Sequence, residues 1–165
     1  MDNTIETIKN QLDNVDRLLD EYEKEIHLPI LDTPGEENEL QQYLSMNRNV
    51  LEKLNPIDCG QIAYRLSQFS FFLQRLYNRE KARSIWASNY LNKIIAPQLG
   101  SYDKYMKYDA KVALIVEENS SANALQKVLI HCTQRMERLE SLASELKHLS
   151  SIIKSIQWTK GTYNG

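Results

Sequence analysis

Apolar residues Ile5, Ile8, Leu12, Val15, Leu19, Tyr22 and Ile26 recur at alternating steps of three and four. That is a heptad seam, and it predicts a helix over residues 4–27 with acidic residues on its outer face. Pro29 breaks it. Thr33-Pro34-Gly35-Glu36 then reads as a capping box with proline at the first helical position, which predicts a second helix running to about Leu54. Its inward residues are Leu40, Tyr43, Leu44, Val50, Leu51 and Leu54. Asn55-Pro56-Ile57-Asp58 repeats the stop and start, and from Asp58 to about Ala96 nothing interrupts a helix until Pro97. Ile62, Leu66, Phe69, Leu73 and Leu76 form its seam, which fades through NREKARS and resumes at Ile85 and Trp86. After a turn at Leu99-Gly100-Ser101, with Ser101 as N-cap, a last helix is expected to run to about Gln157, loosened at Glu117–Asn123. Its seam is Leu125, Leu129, Cys132, Met136, Leu139, Leu142, Leu146, Leu149, Ile153 and Ile156, the longest periodic signal in the chain. The tail from Thr159 should fray.

No strand-type alternation, long-period repeat or low-complexity tract interrupts this pattern, so the expectation is an all-α protein: an elongated bundle of about four long helices with heptad-type packing, forming oligomers. The third helix alone would span roughly 57 Å, against a diameter near 40 Å for a compact chain of this length. The sequence divides into an acidic helical region, residues 1–56, and two long helices carrying a basic-aromatic segment, residues 57–165.

Composition sharpens that division. The 165 residues carry a net charge of −2, but residues 1–60 hold 14 acidic against 5 basic side chains, residues 61–112 hold 3 against 9, and residues 113–165 hold 5 against 6. The front is acidic and the middle basic. The first ten residues have neither a basic n-region nor an apolar run, and no apolar stretch approaches the roughly 20 residues of a membrane span. The two cysteines, Cys59 and Cys132, form no C-x-x-C pair, which reads as two buried thiols in a reducing compartment such as the cytoplasm.

Residues 74–111 hold five of the nine tyrosines and eight of the twenty lysines and arginines. Arg75, Arg79 and Arg83 stand four apart, one basic row on a helix, with Trp86 and Tyr90 extending the face. Further on, Tyr102, Tyr105 and Tyr108 interleave with Lys104, Lys107 and Lys111. Cations that displace counterions from phosphates, alternating with rings that stack on bases, suit a single-stranded nucleic acid. A solvated helix face and half-buried packing tyrosines would produce the same spacings. Enzyme chemistry finds little footing: there is no phosphate-cradling glycine loop, nucleophile elbow or paired metal-ligand motif, so no catalytic residue, cofactor or metal is expected. Glu145-Leu146-Lys147-His148 matches half of a helical di-metal site, but its second copy is missing. His131 reads as a core histidine, and Asp13, Asp16 and Asp20 as a solvated face or, less economically, a Mg²⁺ site.

Lys81-Ala82-Arg83 on a helix, aromatics just downstream, a short break, and a tyrosine- and lysine-containing entry to a long final helix together resemble the phage recombination mediators of the UvsY type. The likeness covers about 90 residues and continues through Lys107, Ala110, Val112 and Leu114, then Leu129, Cys132, Met136 and Lys147-His148. It implies a helical, ring-forming homo-oligomer in the host cytoplasm that binds single-stranded DNA and helps load a recombinase against the competing single-strand-binding protein. Lys81 and Arg83 are the matched basic pair; Arg75, Arg79, Trp86, Tyr90, Lys104, Lys107 and Lys111 join them on charge and spacing. The acidic helix over residues 4–27 has no counterpart in that pattern. A helical adaptor or inhibitor acting by protein contact, with that helix as its contact, is the alternative.

Overall fold

Asn55 and Pro56 start the longest uninterrupted apolar pattern as their chemistry requires. The Asn55 side-chain oxygen accepts from the backbone N–H of Asp58 at 2.8 Å, and proline takes the first helical position, where its missing N–H costs nothing. In the computed structural model, which describes residues 2–27 and 38–163, the helix that follows runs 40 residues. The elements in order are α1 (Asp2–Glu25), α2 (Glu39–Leu44), α3 (Arg48–Lys53), α4 (Pro56–Ile95), a 3-10 turn (Ala96–Ser101), α5 (Tyr108–Glu118) and α6 (Ser120–Tyr163). The protein is all-α, with no strand among the described residues.

Three boundaries differ from the sequence expectation, each for a local reason. The expected second helix is two six-residue pieces, because Ser45 donates its hydroxyl to the Gln42 carbonyl while Asn47 caps α3 by accepting from the Val50 N–H. Its expected capping box, Thr33–Glu36, lies outside the described residues. Ser101 ends a 3-10 turn instead of starting a helix, and α5 begins at Tyr108 without a side-chain cap. The loosening near residue 120 is a true break. Asn119 is extended (φ −110°, ψ 111°), its backbone N–H closes α5 on the Ile115 carbonyl, and its side-chain oxygen accepts from the Ala122 N–H to open α6. One residue thus ends one helix and caps the next.

The helices assemble into two compact units. The first comprises Met1–Pro29 and Asn78–Glu137, and the second Ile30–Tyr77 and Arg138–Gly165. This partition does not follow the division expected at residue 56, because α4 and α6 each serve both units. In the second unit Cys59, Ile62, Ala63, Leu66, Phe69 and Leu73 of α4 pack with Ala143, Leu146 and Ile153 of α6. Small residues bring the two backbones close, and hydroxyls bond across: Ser150 donates to the Ala63 carbonyl at 2.8 Å and Ser70 to the Ala143 carbonyl at 3.2 Å. Leu40, Tyr43, Met46, Leu51 and Leu54 close one side, whereas Leu44 and Val50, expected inward, are exposed. The tail that should fray stays helical to Tyr163, for Lys160 donates its ammonium to the carbonyls of Leu51, Glu52 and Leu54.

In the first unit Ile8 of α1 joins Ala87, Leu91 and Ile95 of α4, Ile115 and Val116 of α5, and Ala122 and Leu125 of α6. The α4 seam therefore resumes at Ala87, not at Ile85, which is 53% exposed; Trp86 packs beside it, half-buried. No helix of the described residues is long and apolar enough to cross a membrane.

Candidate nucleic-acid interface

The basic row of α4 is met by a row of acids with the same spacing. Residues one helical turn apart share a face, so Asp16 and Asp20 of α1 present carboxylates at the interval at which Arg79 and Arg83 present guanidiniums. Arg79 donates to Asp20 at 2.5 Å and lies 3.9 Å from both Asp16 and Glu23. Arg83 grips Asp16 with two nitrogens, its Nε donating to Oδ1 at 2.9 Å and its Nη2 to Oδ2. The hydrogen bond to Asp20 raises the pKa of Arg79 and that to Asp16 raises the pKa of Arg83, so both stay cationic.

The aromatic extension of the row is likewise engaged. Trp86 and Tyr90 stack on each other, centroids 5.7 Å apart and planes 25° apart, and lean on the apolar core of the first unit. Lys81 is exposed. Arg75 is half-buried on the stretch of α4 that belongs to the second unit. The structure thus joins Arg79, Arg83, Trp86 and Tyr90 into the fold's own contacts and leaves Lys81 outside them.

The remaining candidates lie around the start of α5. Tyr102 is tied down, its hydroxyl donating to Glu118 at 2.8 Å. The next residues are open: Tyr105 is 83% exposed and Tyr108 59%, Lys104 and Lys107 are exposed, and the Lys104 ammonium stands 4.9 Å from the centre of the Tyr105 ring. Asp103 fixes the turn by accepting from the Tyr105 N–H at 2.9 Å. Lys111 is half-buried one turn into α5. Because residues 102–107 form a bend and a turn, these tyrosines do not make the helical row their spacing suggested.

Sequence reasoning missed Glu80, which is buried behind the arginine row. It accepts from Arg83 at 2.7 Å and from Arg135 at 2.9 Å, and Arg135 also reaches the Cys132 sulfur at 3.4 Å. Burial is the largest influence on Glu80 and pushes its pKa up. The hydrogen bonds from Arg135 and Cys132 and the charges of Arg135 and Arg83 together outweigh it, leaving the carboxyl below its usual 4.5. A depressed carboxyl stabilises the fold above its unfolded pKa and loses that contribution as pH falls through its folded value. The stability gap between wild type and Glu80→Gln should therefore hold from pH 7 down to about 4.5 and narrow below it, as read by urea unfolding across that range. A gap independent of pH would mean that the pairing does not control it.

Cys132 is fully buried, with its thiol pushed up by burial and by Glu80, and Cys59 is fully buried in the other unit. His131, expected in the core, is exposed because it sits one residue before the inward Cys132; Glu145 and His148 are exposed too. Among the described residues no three His, Cys, Asp or Glu side chains stand together as a metal-holding group. Beside the acid-arginine cluster an apolar groove of about 800 Å³ opens between α1 and α6, lined by Ile8, Leu12, Ala124 and Val128, with Lys9, Lys127, Glu117 and Glu118 on its rim. No family model, no curated protein and no solved structure matches the chain.

Proposed function

We propose that this is a single-stranded-DNA-binding protein that acts by contact and carries out no bond chemistry, its first point of capture being the open turn with Lys104, Tyr105, Lys107 and Tyr108. The observation that carries this is a pair of exposed rings alternating with two exposed ammonium groups, Lys104 standing over one face of Tyr105 and leaving the other face open. A ring open to solvent has a free face for a base, worth about 1–3 kcal/mol per stacked base, and the neighbouring lysines release counterions from phosphates. Arg79, Arg83, Trp86 and Tyr90 use those capacities within the fold. The role suggested by the UvsY resemblance is recombination mediation, in which several copies line one strand, gain avidity from their number, and present it to a recombinase against the single-strand-binding protein.

Anisotropy titration of a labelled thymidine oligonucleotide and a duplex, at two salt concentrations, tests the reading. Wild type should prefer the single strand and lose affinity with salt. Lys104→Ala/Lys107→Ala should bind about tenfold more weakly, with a log–log salt slope shallower by about 0.7 for each phosphate left unneutralised. Tyr105→Ala should weaken binding with the slope unchanged. Wild-type affinity in both variants would overturn the assignment of the turn.

The apolar groove favours a second reading, the adaptor that docks a partner's amphipathic helix between α1 and α6. That reading requires no affinity for DNA, and partner binding that is abolished in Val128→Asp.

A further inference from the structure

α1 is attached differently along its length. Near its start Ile8 is buried in the first unit's core and Leu12 packs against it. Further along, the apolar grip weakens: Val15 and Leu19 are half-buried, while Leu18, Tyr22 and Ile26 are 52%, 57% and 45% exposed. What meets α4 there is charge, through Asp16, Asp20 and Glu23 on Arg79 and Arg83. Only Asp20, 54% exposed, is open to water and so to screening by salt. Arg79, Arg83, Asp16 and Glu23 keep 15–29% of their side-chain surface, and there the water the charges give up offsets much of their attraction, so the second half of α1 is held by the weaker of its two fastenings. The guanidiniums beneath it have the fork geometry that grips carboxylates and phosphates alike.

We infer that α1 is a displaceable acidic strap over a second polyanion-binding face: Asp16, Asp20 and Glu23 hold the places on Arg79 and Arg83 that phosphates of a bound single strand take when the strap leaves. The ligand class rests on the function proposed above; the weak fastening of the strap does not. Residues 2–25 carry eight acidic side chains against three basic ones, so a strand that reaches Arg79 and Arg83 also repels the strap. Binding and release are then coupled, and by linkage whatever loosens the strap tightens the strand by the same factor.

Hydrogen–deuterium exchange of the full chain, at low and high salt and with or without a thymidine oligonucleotide, reads the strap directly. Amides of residues 16–25 should lose protection with salt and with oligonucleotide, whereas those of residues 8–12 keep theirs. The variant Asp16→Asn/Asp20→Asn/Glu23→Gln should bind the oligonucleotide about tenfold more tightly, and the charge-matched control Glu6→Gln/Glu21→Gln/Glu25→Gln should gain much less. Protection of residues 16–25 that survives salt and oligonucleotide overturns the strap even where the turn binds DNA. An equal gain in the control overturns it too, since net charge alone would then account for the effect. If residues 16–25 open with salt but neither wild type nor variant binds the oligonucleotide, the proposed function fails and the masked polyanion face falls with it.

Discussion

Replacing Leu66 with alanine should cost about 2–5 kcal/mol, towards the upper end. Leu66 has no exposed surface and packs among Ile62, Phe69 and Leu73 of its own helix and Ala143, Leu146 and Ile153 of α6. The loss has two parts, the transfer energy of the deleted methyl groups and the cavity they leave. The cavity part is large where neighbours cannot move in. Here α4 and α6 are already drawn together through Ala63, Ser70, Ala143 and Ser150, with hydroxyls bonded to the facing carbonyls, so little slack remains for collapse. Urea unfolding should show a lower midpoint at unchanged slope. Ile57→Ala, at a side chain 71% exposed, should stay within about 0.5 kcal/mol. A Leu66→Ala cost under about 1 kcal/mol would mean that the two helices close over the gap after all.

Lys160→Met should cost about 1.5–3 kcal/mol, towards the lower end because the ammonium is only partly buried. The last turn of a helix leaves its carbonyls without partners. In α3 and the residue after it, three of these, from Leu51, Glu52 and Leu54, are satisfied by a single ammonium at 2.6–2.9 Å. The positive charge also opposes the negative end of the helix dipole. Methionine keeps the length and packing of the lysine stem and removes the ammonium, its donors and its charge together, so the measured loss belongs to the cap and its charge. Because the cap also tethers the end of α6, amides of residues 50–54 and 157–163 should exchange faster in the variant. If stability drops but these amides keep wild-type protection, the lysine acts through something other than this cap.

Much of the fold was legible because periodicity is a long-range pattern. The seams of α1, α4 and α6 repeat over many turns, and Asn55-Pro56 marks a helix start that no tertiary contact needs to enforce. The breaks at Ser45–Asn47 and Asn119 were not clear. A short polar side chain that caps one turn and ends another leaves the three-four spacing around it intact, so the apolar pattern runs through a place where the backbone does not. The end of α6 went unread because the partners of Lys160 stand more than a hundred residues earlier.

The candidate site divides the same way. The arginine row was visible, since four-residue spacing is local, but its occupants are a matter of tertiary docking. One clue was present: Asp16 and Asp20 repeat the four-residue interval of Arg79 and Arg83, and matched intervals of opposite charge on two helices are what a docked pair requires. Glu80 gave no such clue. It reads as one more surface charge in NREKARS, and only the approach of Arg135 from α6 makes it a buried hub.

The two thiols offer a further consequence. Cys59 sits in one compact unit and Cys132 in the other, both without exposed surface, and the sequence contains no third cysteine. Alkylation can therefore reach each sulfur only when its own unit opens. The wild-type chain thus carries two natural clocks: timed exposure to an alkylating reagent, followed by mass analysis of the two peptides, gives separate opening rates for the two units from one sample and without any engineered label.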